Sequence, residues 1–402
     1  YTSPSLPSPP VHPPEGYERS PWFTYGPGGR DFSNQMAYAP ERETALYAGA
    51  NHGSPHRLND VWEFHLGSNT WQTLYAPTGG DMRNRRLQWG HAKRLIDGET
   101  LTAEELAMTD EFRVWWRENV MLHDAGYLSI NDPGHGPLDP SHCWDTLAYD
   151  SVNHRLVWPL LASRQYGMKV HQWAWDLPER PEIGEGVTAM LYFDLETSTW
   201  FPYRDQVGAP PVTSNSALSM VAIGGTEFVY AQSHWRDGVT GMFRWDSATG
   251  IWTNMRPNDG ANLQTLAAEG AFPQLDGLGE YSPDDNAILN VGQGDFVSRE
   301  PTARLYRFDT NEWSATNPPG VQVSDATGML VYASAKGRFV LLKPNQRQSS
   351  LFEFDVTTET WEEIRFTGPE LQTSAAFGYY DPRFNVVVLQ QRSGRRVWVY
   401  RP

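Results

Sequence analysis

The chain has a single cysteine, Cys143, among 402 residues. One thiol makes neither an internal disulfide nor a CxxC pair, so a disulfide framework and a thiolate zinc knuckle are excluded and stability must come from core size. Positive charge is also scarce: 32 Lys and Arg against 48 Asp and Glu leave a formal net charge of −16. That excludes an overall electrostatic grip on nucleic acid or on an anionic membrane, leaving only local basic patches. No apolar run approaches the roughly 18 to 20 residues of a membrane helix, and no Asn-x-Ser/Thr sequon occurs.

Rings are abundant instead. The 17 Trp, 18 Tyr and 17 Phe make up 13% of the chain, enough bulk for a large core and too much for a disordered chain. With 35 Gly and 30 Pro, turns are frequent and the expectation is an all-β protein of short strands. The sequence starts at Tyr1 and runs through TSPSLPSPPVHPPEG. This reads as an extended tail over residues 1–19 at the start of a mature exported protein, secreted or periplasmic, ahead of one domain over 20–402.

A repeat sets the architecture. VWEFHLGSNTW (61–71), LYFDLETSTW (191–200), MFRWDSATGIW (242–252), LYRFDTNEW (305–313) and LFEFDVTTETW (351–361) share one form: a strand ending on an aromatic, a polar turn, and a Trp opening the next strand. Phe64 to Trp71, Phe193 to Trp200, Trp245 to Trp252 and Phe354 to Trp361 have one spacing; Phe308 to Trp313 reads as a shorter turn. Another hairpin precedes each: 37–49, 148–158, 220–231, 280–291 and 331–342, with a sixth at 379–390. Two hairpins make a four-stranded sheet. After the sixth only RRVWVYRP remains, so the missing outer strand is expected from PWFTYGP (21–27), with Trp22 in the place of the turn Trp. Such closure leaves no open edge.

Through the [LMW]-[YFW]-x-[FW]-D and turn-Trp signature the chain resembles Kelch-type β-propellers over about residues 20–402. The paired glycines usual in that motif are largely absent, and Gly224-Gly225 stands elsewhere. The resemblance implies six or seven four-stranded antiparallel blades. Two stretches break the rhythm. Residues 77–141 contain TAEELAMTDEFRVWWRENV, read as the one helical insertion, with Thr102 as N-cap and Glu104 and Glu105 at the positive helix end. Residues 162–187 form an excursion inside the second blade, and long loops in compact repeats tend to carry function.

In an up-down blade the second-to-third loops and the blade-to-blade connections share one end of the ring. His52, His56, His91, His123, His135, His142, His171 and His234 all fall in connections of that end; His154 falls on the other. Arg164 and Tyr166, Tyr203 and Arg204, Arg236, Arg299 and Arg347 join them. Arg grips a carboxylate through paired hydrogen bonds, so a basic, aromatic face in an acidic protein suits an anionic ligand. The plainer reading is that these connections hold most loop residues, and each Arg is a solvated loop charge. His142 opens an inner strand and is as well placed for scaffolding as for catalysis. His52 and His56 lie close enough to share a metal, without an HExxH motif or carboxylates to complete a site. Cys143 reads as packing.

Secreted β-propeller polysaccharide lyases of the ulvan lyase type are similar in these residue types. The resemblance implies a uronic-acid glycan as substrate, a His or Tyr base, a Tyr or His acid, and an Arg that neutralises the uronate. Carried onto this sequence, His123 or His142 is the base, Tyr166 the acid and Arg204 the clamp, with Arg164 as its substitute. His234, Arg236, His52 and Asn51 contact substrate. No cofactor is required, a structural calcium or zinc is allowed, and a monomer without nucleic-acid or membrane partners is expected. Three other classes stay open: a non-catalytic glycan- or protein-binding propeller, a galactose-oxidase-like copper radical oxidase using Cys143, and a sugar epimerase.

Overall fold

The computed structural model describes residues 36–48, 59–76, 85–123, 127–131, 134–138, 145–159, 164–179, 190–203, 206–208, 217–233, 240–260, 275–293, 301–316, 328–343, 350–364, 376–391, 397–402 and Pro27. Six antiparallel sheets follow one another, each with its strands in chain order. Blade 1 is Ala37–Ala39, Thr44–Tyr47, Val61–His65 and Thr70–Tyr75; blade 2 is Ala148–Asp150, Arg155–Pro159, Met190–Asp194 and Thr199–Pro202. Blade 3 comprises Ala217–Gly224, Glu227–Ser233, Thr240–Asp246 and Ile251–Asn254, and blade 4 Leu275–Ser282, Ala287–Gln293, Pro301–Arg307 and Glu312–Thr316. Blade 5 is Met329–Ala333, Arg338–Lys343, Ser350–Asp355 and Thr360–Ile364. Blade 6 has three described strands, Ala376–Asp381, Val386–Gln391 and Val397–Tyr400. The expected closing strand, 21–27, lies outside the described residues apart from Pro27, as does the 1–19 tail.

The repeat signature has a direct geometric cause. Phe64 pairs with Trp71, Phe193 with Trp200, Trp245 with Trp252 and Phe354 with Trp361 across the outer hairpins. In blade 4 the partner of Trp313 is Tyr306, not Phe308. The expected short turn is therefore corrected: all five copies have one spacing, and Phe308 packs edge-on against Tyr306. Ring centroids of the five pairs lie 4.8 to 5.4 Å apart, so each turn is clamped by an aromatic contact.

The turns repeat as faithfully. Two residues before each Trp, Asn69, Ser198, Gly250, Asn311 and Glu359 have φ between 52° and 71°, the left-handed region that closes a hairpin with the strand twist. The Asp after the aromatic satisfies the turn amides: Asp194 Oδ1 accepts from the N–H of Glu196 and Thr197, and Asp355 Oδ1 from those of Thr357 and Thr358. That is the physical content of the Phe-Asp pair in the signature.

Six interfaces close the ring. Apolar clusters lie between blades 1 and 2, 2 and 3, 3 and 4, 4 and 5, 5 and 6, and finally 6 and 1, where Tyr47, Trp62 and Trp71 meet Phe377, Tyr379 and Val388. At that last interface Met36 N–H donates to Gly378 O at 2.8 Å, and Tyr38 stacks on Tyr379 at 5.8 Å. The blade number is six.

The inner strands of blades 2, 5 and 6 each add a staple. Tyr149 of blade 2 donates to Glu41 in the first turn of blade 1, Tyr332 of blade 5 to Asp284 in that of blade 4 at 2.6 Å, and Tyr380 of blade 6 accepts from Ala335 N–H of blade 5 at 3.2 Å. In three of the six blades a phenol thus reaches back to the preceding turn. Because Ser198 holds a left-handed conformation that disfavours any Cβ, Ser198→Gly should raise the unfolding free energy by about 0.5 to 1 kcal/mol, and Gly250→Val should lower it by about 1 to 2 kcal/mol, read as shifts of the denaturant midpoint.

Candidate functional site

The two insertions are not separate excursions. The first holds α1 (Arg86–Ile96), α2 (Ala103–Asn119) and a small hairpin, Val120–Leu122 with Leu128–Ile130; the second holds α3 (Arg164–Trp175). Phe112, Trp115, Trp116, Val120, Met168 and Val170 share one buried core. The expectation of a single helical insertion is corrected: α1 and α3 were missed because Trp, His and Gly dilute their apolar periodicity, and α3 needs the faces of α1 and α2 to pack on. By the up-down rule both insertions leave the ring at the same end, so together they form a helical layer there.

The α2 N-terminus is as expected. Thr102 accepts from Glu105 N–H at 3.2 Å, and the Glu105 carboxylate accepts from Thr102 N–H at 2.8 Å, a reciprocal capping box. That backbone bond and Arg94 hold the Glu105 carboxyl down at about 2. Arg113 donates to the carbonyls of Trp173 and Ala174, and Arg117 pairs with Asp176 at 2.9 Å. These cations satisfy the C-terminal carbonyls of α3 and fasten the two insertions together.

The histidines of this end divide into two kinds. His171 is buried on α3; its Nδ1 accepts from the Trp116 indole N–H at 3.2 Å and burial lowers its pKa, so it is a neutral packing group. His91 is buried on α1 beside Glu105. His123 differs. It ends the small hairpin, with Nε2 2.8 Å from Ser129 Oγ and its ring stacked parallel on Tyr127 at 4.3 Å. His135 meets it edge-on at 5.8 Å. The strand pairing Leu122 to Leu128 brings these rings together, and His123 N–H donates to Tyr127 O at 3.0 Å. The half-buried His123 imidazole is thereby held in one orientation. Gly134 O accepts from Trp200 N–H, and Gly136 N–H donates to the Tyr75 hydroxyl, which ties the group to blades 1 and 2.

Arg164 and Tyr166 fall in the first turn of α3. His142, Arg204, His234, Arg236, His52, Asn51 and Cys143 lie outside the described residues. Tyr127, Ser129 and His135 were not singled out from the sequence, although His135 was assigned to this end. Nothing in a serine or tyrosine marks it as a partner until a hairpin register sets it opposite a histidine.

A second site occupies the ring axis. A cavity of about 280 Å³ is lined by residues of all six inner strands, including Tyr38, Leu147, Val221, Glu280, Tyr332 and Tyr379. Asp145 enters it from the start of blade 2, bridging Ser219 of blade 3 and accepting from Gly279 N–H of blade 4 at 2.6 Å. Gly279 is required there, because a Cβ would stand 2.5 Å from Ser219 Oγ. Burial pushes the Asp145 carboxyl well up, helped by the Glu280 charge, and burial pushes Glu280 up to about 8 against one bond from Tyr281 N–H. The sequence held one unused signal. By register Glu280 stands where the other blades have Ala37, Ala148, Val221, Val331 and Tyr379.

Among the described residues no three His, Cys, Asp or Glu side chains group as metal ligands, and no helix is long and apolar enough to cross a membrane. No protein-family model and no curated protein matches the chain. Among solved structures it is similar to the Dos1 propeller at 10% identity and a TM-score of 0.39, over 90% of this chain and 68% of that one. It is also similar to TolB from Acinetobacter baumannii at 13% and 0.36, over 85% and 75%, and to the nidogen/laminin complex at 8% and 0.35, over 64% and 80%. These likenesses are remote; the strand pairing and the six inter-blade cores define the chain as a six-bladed β-propeller.

The channel carboxyls give a pH dependence of fixed sign. Their pKa values are raised in the folded state, so their contribution favours folding most at low pH and is lost as pH climbs through the Glu280 value of about 8. The thermal midpoint should fall between roughly pH 5 and pH 8, and Glu280→Gln should flatten that slope in a melting series.

Proposed function

We propose that the end of the ring bearing the helical layer is the working face of an enzyme that cleaves a uronic-acid-containing polysaccharide by β-elimination. The observation that carries this reading is the preset His123 imidazole, hydrogen-bonded to Ser129 and stacked on Tyr127. A base must be aimed before substrate arrives, and this pairing aims it. In the tautomer that donates Nε2–H to Ser129, Nδ1 carries the lone pair. In this reading that nitrogen takes the proton alpha to the uronate carboxylate, a carbon–carbon double bond forms, and the glycosidic carbon–oxygen bond breaks. The departing oxygen takes a proton from an acid, Tyr166 in this reading. Arg204, or Arg164 in its place, neutralises the carboxylate so that charge accumulates at low cost. His142 is the alternative base.

The blade signature resembles that of Kelch-type propellers, and the residue types resemble those of secreted lyases of the ulvan lyase type; an extracellular or periplasmic setting goes with such a substrate. The chemistry requires no metal.

The test is a screen of uronate-containing algal and plant glycans, following absorbance of the unsaturated uronate product. Turnover is expected on at least one glycan, and His123→Gln and Arg204→Ala should each lower it by about 10² to 10⁴-fold with little change in the thermal midpoint. Binding without any unsaturated product would reject elimination in favour of a glycan-binding propeller, and wild-type rates in both variants would remove these residues from the reaction.

A further inference from the structure

The axial cavity has no part in that chemistry and has its own composition. Among the described residues lining it there are two carboxyl groups, Asp145 and Glu280, several tyrosines, and no Lys, Arg or His. The Tyr379 hydroxyl, in a side chain only 1% exposed, has no hydrogen-bond partner among the described residues. Buried Asp145, partly exposed Glu280 and that phenol oxygen together give the cavity oxygen acceptors and no cationic side chain.

We propose that this channel binds a small linear organic ammonium ion, with Glu280 and Asp145 as its charge partners and tyrosine groups along its length. A divalent metal suits the site less well. Calcium takes six to eight oxygens and magnesium a near-ideal octahedron, whereas here one oxygen of Asp145 is already committed to Gly279 N–H. An alkylammonium group asks for less: one or two acceptors for its N–H bonds and a ring face for its charge. The cavity, about 280 Å³, sits at the small end of small-molecule sites, which run from roughly 300 to 1,000 Å³. Carboxyls contributed by blades 2 and 4 line it together with residues of all six inner strands, so an occupant would tie distant parts of the ring to one another.

Thermal unfolding and calorimetry on the full chain at about pH 9, above the Glu280 value of about 8, test this with putrescine, the neutral diol of the same length, and calcium chloride as probes. Putrescine should raise the thermal midpoint in a dose-dependent way and the diol should not. Glu280→Gln, which keeps shape and loses charge, should abolish the shift, and Tyr379→Phe should weaken binding roughly tenfold by removing one acceptor from a charged donor. No shift with putrescine, an unchanged shift in Glu280→Gln, or a response to calcium alone would overturn the proposal. None of these readouts depends on glycan cleavage.

Discussion

A four-stranded sheet of this kind cannot bury either face alone, and the ring exists because each blade finds its missing core in the next. The six inter-blade clusters are built from strands of adjacent sheets, and fully buried Trp62, Trp158, Trp200 and Trp245 lie within them. Removing accessible apolar area at about 25 cal/mol per Å² favours such contacts, but it does not fix the angle between neighbours. At three of the six interfaces an inner-strand tyrosine helps to do that. A phenol that must reach the preceding turn, as Tyr332 reaches Asp284, sets both spacing and tilt, because its hydrogen bond fails a fraction of an ångström too far away.

That closed ring explains where chemistry can sit. Every inner strand presents the same edge to the axis, so one acidic substitution in one blade, Glu280, faces a cavity shared by six. Asp145 is held in the same space by a parallel bridge to blade 3 and a backbone bond to blade 4. The helical layer solves a different problem. Two long connections leave the ring at one end, and each is too short and too mixed in character to fold alone. Joined through Phe112, Trp116 and Met168 and fastened by Arg113 and Arg117, they give that end a rigid platform on which His123 is oriented.

Much of the fold was legible in the sequence because hairpin chemistry is local. The aromatic, Asp, left-handed residue and Trp of each outer turn act within a few residues of one another, so their spacing survives in the string of letters. The misreading within the repeat, Phe308 for Tyr306, arose where two aromatics stand in alternate positions and only the pairing register separates them. Thr102 and Glu105 were legible for the same reason, as a cap acts across one helical turn.

The candidate sites were legible only in part. His123 was named as a candidate base, yet its partners Ser129 and Tyr127 come from a hairpin register, and His171 proved to be a packing group once α3 folded onto Trp116. Local order along the chain determined the blade repeat, its turns and the identity of the end that bears the insertions, while closure of the ring fixed the number of blades at six. Which side chains face one another across blades, which histidine is aimed and which is buried, and that two carboxyls share one axial cavity were decided by tertiary structure alone. Those pairings join residues as far apart as Asp145 and Gly279, and a contact of that kind is set by closure of the ring, which no short stretch of sequence encodes.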